Sequence, residues 1–133
     1  MSVRTVPLPE PKANLHLVNW ESEVVKELDQ DDMMEELVGM AKNEFDGHVS
    51  ELKKMRDIGE SNWSAQWPPW KVAHSIKGLA LSLGLNRLSS YAKDIETLKL
   101  NIKADDIDDI IANFEALFDA SIDEVKTKSN KPK

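Results

Sequence analysis

Apolar side chains recur along most of the chain at alternating gaps of three and four residues, the mark of helices with one buried face. No stretch alternates with the period of two that a half-buried strand would show. A short helix is expected over Trp20 to Leu28, with the run Asp29-Gln30-Asp31-Asp32 breaking it and capping the next. The second helix is expected from Asp32 to Ile58, with Met34, Leu37, Val38, Ala41, Phe45, Val49, Leu52 and Met55 forming one stripe. Gly39 and Gly47 lie off that stripe, and Gly59 ends the helix ahead of the loop GESNWSAQW. Pro68 and Pro69 suit the first turn of a third helix, where a missing N–H has no intrahelical partner to lose. That helix is expected to reach Leu83 and to stop at Gly84, a residue type favoured just past a C-terminus. Asn86 is placed to cap a fourth helix with Leu88, Tyr91, Ala92, Ile95 and Leu98 facing inward. A fifth starts near Asp105, where Asp106, Asp108 and Asp109 suit the positive end of the helix dipole. Its stripe is Ile107, Ile110, Ile111, Phe114, Leu117, Phe118, Ile122 and Val125.

Four long amphipathic helices with short connections predict an all-α fold: an antiparallel up-down four-helix bundle with a short extra N-terminal helix. Residues 18–126 form the expected domain. Residues 1–17, with Pro7, Pro9 and Pro11, are expected as a flexible tail, and 127–133 as a basic one.

Composition narrows the chemistry. The 133 residues hold 24 acids against 17 Lys and Arg, a net charge of −7. That charge repels phosphate backbones and anionic lipid surfaces, so neither nucleic acid nor membrane is an expected partner. With no cysteine, disulfide stapling, thiol chemistry and thiolate zinc sites are excluded. The first residues lack an apolar signal core, and no apolar run approaches the roughly 20 residues of a membrane span. A cytoplasmic location is the expectation.

The third helix is where the pattern becomes specific. Val72, Ala73, Ile76, Leu79, Ala80 and Leu83 share one arc, and His74 points roughly 160° from its centre at about 100° per residue. Around His74 on the outer side stand Trp67, Trp70, Lys77, Gly78 and Leu81. A merely solvated face would carry Glu, Lys and Gln instead, so this mixture suggests a partner surface. An imidazole titrates ordinarily near pH 6.5, so close to neutrality much of it is uncharged and nucleophilic. Neither a plausible nucleophile partner nor an orienting acid is adjacent to His74 in sequence, which leaves triad hydrolysis without support. Lys77, one turn along, is a compact cation suited to phosphoryl oxygens, and phosphoryl transfer asks chiefly for positioning and charge. Gly78 removes a side chain where a second protein would approach closely.

The string AHSIKGLALSLG resembles the signature of the histidine-containing phosphotransfer (HPt) domain: His74, then Lys77-Gly78, then Gly84. Leu88 and the Asp94-Ile95-Glu96 segment look like later positions of that family, and the upstream segments are similar to its first helices. The likeness runs from Trp20 to Ile122. Leu79 departs from the small residues common there, and the double proline with two tryptophans is unusual. The resemblance implies that His74 accepts a phosphoryl group from a receiver-domain aspartate and passes it to another, with Lys77 steadying the oxygens. The implied partners are the receiver domains of a hybrid sensor kinase and of a response regulator, with docking through Trp70, Lys71, Gly78 and Leu81. No cofactor or metal is expected on this chain, because the Mg2+ such transfers need belongs to the receiver.

The residues agree on what is missing. No Gly-rich phosphate loop or kinase-type nucleotide motif occurs, so the expectation is a stand-alone, monomeric carrier with no kinase or hydrolase activity of its own. Plainer readings stand beside this one. Lys77 reads otherwise as a solubilising lysine, Gly78 as a helix-packing glycine, and Gly84 as a helix stop. Trp70 reads either as core folded over the loop or as a docking residue, and Trp63 and Trp67 as packed on the loop. His48 reads as a satisfied, half-buried histidine, and the methionines as core filling or edge. The competing function is a phosphate-independent helical adaptor that docks receiver or kinase domains. A di-iron bundle is disfavoured, because no Glu-x-x-His occurs and Glu44 and His48 are four apart.

Overall fold

The interval-three-and-four stripes fold as helices throughout. The computed structural model describes residues 8–30 and 33–129, and no strand occurs among them. The helices are α1 (Glu23–Gln30), α2 (Met34–Ile58), α3 (Pro69–Ser82), α4 (Asn86–Thr97) and α5 (Ile107–Ser129). Single 3-10 turns at Glu60–Asn62, Lys99–Asn101 and Ala104–Asp106 punctuate the connections.

The starts of these helices depart from expectation for local reasons. Helix α1 begins at Glu23 rather than Trp20 because the Ser22 hydroxyl accepts the Val25 N–H at 3.1 Å, a side-chain cap that fixes the first turn. Helix α2 begins at Met34, with Met33 in the capping position and no side-chain cap; Asp31 and Asp32, expected as caps, lie outside the described residues. Pro69 opens α3, while Pro68 stays extended ahead of it. Asn86 does not cap α4. It is the first helical residue, and Leu85 holds the capping position with no side-chain hydrogen bond. Leu85 is fully buried and its N–H bonds the Ala80 carbonyl at 2.9 Å, so a hydrophobic anchor occupies the junction. Before α5, the Asp106 carboxylate turns back to accept the Lys103 N–H at 2.8 Å, and the helix proper follows.

The stripes predicted to be inward are inward. Val38, Phe45, Val49 and Leu52 of α2 meet Ile110, Phe114, Phe118 and Val125 of α5 in one core, with Val72, Ala73, Ile76 and Ala80 of α3 and Leu88, Tyr91, Ala92 and Ile95 of α4. Helix α3 packs on α4, α2 on α3 and α5, and α4 on α5, closing a ring. Phe45 and Phe118 stack at 4.2 Å between ring centroids, and Tyr91 meets Phe114 edge-on at 5.2 Å. Met34 and Met55 are core, whereas Met33 and Met40 are exposed.

The α3–α4 turn depends on Gly84. Its φ of 67° is left-handed, and a Cβ there would stand 2.2 Å from a methyl of buried Val25. The stop that the sequence placed at Gly84 is therefore also a close approach between α1 and this turn.

Both expected tails meet the helices over part of their length. Residues 1–7 and 130–133 lie outside the description, and α5 continues through Ser129, past the boundary expected at 126. From Leu8, which packs on the core, the chain runs against α4: Arg87 donates to the carbonyls of Ala13 and Leu15, and Lys12 pairs with Asp94 at 3.5 Å.

Candidate functional site

Helix α3 buries one face in the core, which forces its opposite face outward, and His74 stands there with its side chain 62% exposed. Three residues on, Lys77 lies at the edge of the same face, where α3 meets α4. The residue that joins them comes from α4. One oxygen of the Glu96 carboxylate lies 2.7 Å from His74 Nδ1, and the other lies 2.7 Å from Lys77 Nζ. Glu96 itself is largely buried, at 13% side-chain exposure.

Burial alone would push the Glu96 carboxyl upward, but the hydrogen bonds from Lys77 and His74 and the positive charge of Lys77 outweigh it and hold the group below the ordinary carboxylate range. The ionised carboxylate only accepts, so Nδ1 is the protonated nitrogen of a neutral His74. Its Nε2 then carries the lone pair, on a ring whose side chain is mostly exposed. No acid adjoins His74 in sequence, and the fold supplies one 22 residues away. A carboxylate orienting an imidazole, with a cation on its second oxygen, is an arrangement suited to nucleophilic attack by Nε2.

The other residues singled out on this face divide into two groups. Leu81 is 60% exposed, and Gly78 is exposed with nothing within 4 Å of where a Cβ would be, so the helix-packing reading of Gly78 does not hold. Trp70 is half-buried against the core, and Lys99 Nζ sits 3.8 Å from its ring centroid. Lys71 is turned toward the preceding loop and donates to the Gln66 carbonyl at 2.8 Å. Sequence spacing gave no sign of the Lys99–Trp70 contact. It depends on the turn after α4, where Lys99 takes a left-handed φ of 50°.

The remaining candidates are structural. Trp63 donates its indole N–H to the Met55 carbonyl and Trp67 donates to Glu51, tying the loop to α2. His48 is half-buried but only partly satisfied: Nδ1 lies 3.4 Å from Glu51, while Nε2 is buried without a hydrogen-bond partner, with Glu44 at 3.8 Å. Among the described residues no three His, Cys, Asp or Glu side chains converge as a metal site would require. No helix there is long and apolar enough to cross a membrane.

Residues 70–128 match the family described as Hpt domain. Over these residues the chain is similar to an Hpt domain. The match begins at Trp70, not at Trp20, and takes in α3, α4 and nearly all of α5. Both His74 and Glu96 lie within it. Hpt domains carry phosphoryl groups in two-component phosphorelays and interact with the receiver domains of kinases and response regulators. Searches of curated proteins and of solved structures returned no match.

Proposed function

We propose that this chain is a phosphoryl carrier in which His74 is the acceptor, working between the receiver domain of a hybrid sensor kinase and that of a response regulator. The observation that carries this reading is the outward imidazole held at Nδ1 by Glu96, with Lys77 on the same carboxylate. The Nε2 lone pair attacks phosphorus in the partner's aspartyl phosphate. The bond between phosphorus and the acyl oxygen breaks, and the aspartate leaves as a carboxylate. No proton has to leave Nε2, since it carried none. The ring becomes an N-phosphorylated imidazolium that keeps its Nδ1 proton, and the Glu96 charge stabilises that cation. The same steps in reverse deliver the group to a second aspartate.

Lys77 neutralises charge on the transferring oxygens, and Trp70, Lys71, Gly78 and Leu81 belong to the docking face around the acceptor. The scaffold is an antiparallel up-down bundle of α2 to α5, which holds α3 and α4 rigidly enough to keep the Glu96 bridge in register. The chain acts alone as a monomeric, cytoplasmic carrier, without kinase or hydrolase activity, and the Mg2+ ion belongs to the receiver.

The test is transfer from a receiver domain labelled with 32P on its aspartate. The unaltered chain takes up acid-labile label, and His74→Gln takes up none while keeping its helical circular dichroism. Label on the His74→Gln chain would refute the site. Binding of the receiver without transfer to the unaltered chain would favour the phosphate-independent adaptor.

A further inference from the structure

The segment ahead of α1 is fastened to the α3–α4 unit at three places. Arg87 on α4 donates through Nε to the Leu15 carbonyl at 2.8 Å and through Nη2 to the Ala13 carbonyl at 3.1 Å. Lys12 pairs with Asp94, and the Asn19 N–H donates to the Gly84 carbonyl at 2.8 Å. Buried Val18 and half-buried Leu17 press the same stretch onto the core. A cleft of about 420 Å3 opens between this strap and the helices, lined by Leu15, Lys77, Leu81, Ser90 and Lys93 among others.

The position of this cleft gives it a role. Lys77 lines it and shares the Glu96 carboxylate with His74, so the cleft adjoins the proposed acceptor through Lys77. The strap does not cover His74, which remains exposed, so it is a flank and not a lid. The cleft combines two apolar side chains, Leu15 and Leu81, with Lys77, whose charge is balanced by Glu96, and with the exposed Lys93, in a chain whose net charge is −7. That local positive charge complements a partner that arrives with an anionic aspartyl phosphate.

We propose that the strap from Lys12 to Asn19, pinned by Arg87, is one wall of the receiver-docking cleft, and that Arg87 is a positioning residue for receiver selection. This rests on His74 being the phosphoacceptor. Arg87 touches no reacting atom; it acts by holding Leu15 beside Lys77 and Leu81. A receiver that fits this wall is bound more tightly than one that does not, at an unchanged chemical step.

The experiment compares two donors on the full chain: a receiver domain charged with acetyl phosphate and chosen because it labels the unaltered chain, and phosphoramidate, a donor far smaller than the cleft. Arg87→Ala frees the strap. Leu15→Asp puts a negative charge in the wall while leaving the main-chain anchors in place. Each variant is expected to raise the half-saturating receiver concentration roughly fivefold at an unchanged maximal rate, and to lower the receiver-to-phosphoramidate labelling ratio at low receiver by the same factor. An unchanged half-saturation for Leu15→Asp overturns the proposal, whether or not Arg87→Ala folds. Faster labelling from both donors also overturns it, because it would make the strap a lid. Failure of both donors to label the unaltered chain at His74 would instead remove the acceptor reading itself.

Discussion

At the scale of single residues, the proposed chemistry turns on Glu96. Its carboxylate sets which imidazole nitrogen carries the proton, and under the proposed function it compensates the charge that would develop on a phosphorylated ring. Glu96→Ala is expected to slow receiver-driven labelling of His74 by at least about tenfold, about 1.4 kcal/mol of barrier, with little change in receiver binding. Single-turnover transfer at saturating receiver measures this. A pH series checks the electrostatics. A carboxyl held below its ordinary value adds stability that is fully present above that ordinary value, near 4.3, and is lost as pH falls through the lowered one. The stability gap between the unaltered chain and Glu96→Gln, measured by urea unfolding, should be present above about pH 5 and close as the pH drops below about 4. His74 and Lys77 were legible in sequence because they share one helix face, three residues apart. The bridge between them was not, since it spans two helices whose register only the packing sets. The same holds for Lys99 over Trp70.

At the scale of elements, the periodic stripes located all five helices, and their ends moved where another interaction outweighed the expected signal. Ser22 shortened α1 at its start by capping, and buried Leu85 took the position expected of Asn86 at α4. Gly84 shows how much a helix end can carry, since its stop signal was readable in sequence but the contact with Val25 was not. Gly84→Ala is expected to cost about 1–2 kcal/mol from the left-handed backbone alone, with the clash at Val25 adding to it. Thermal unfolding followed by circular dichroism reads this directly. The α2–α5 contact is tested in the same way. Phe118 is fully buried and stacks on Phe45, so Phe118→Ala should destabilise the fold by about 3–5 kcal/mol.

At the scale of the whole molecule, the buried face of each helix determines what the opposite face presents. His74, the proposed acceptor, sits on α3, which has Lys71 and Lys77 and no acidic residue, in a chain with 24 acids against 17 Lys and Arg. That all-helical scaffold could be read from periodicity. The course of residues 8–19 could not, because their proline-rich composition resembles a tail and several of their anchors are main-chain groups, which leave no trace in residue identity. The proposed chemistry rests on one atom, and imidazole nitrogen chemical shifts in the phosphorylated chain, read by 1H–15N correlation spectroscopy, report on that atom. A phosphorus bond at Nε2 of His74, with Nδ1 still protonated, is the expected result. A phosphoryl group on Nδ1, on His16 or His48, or on any other side chain would contradict it.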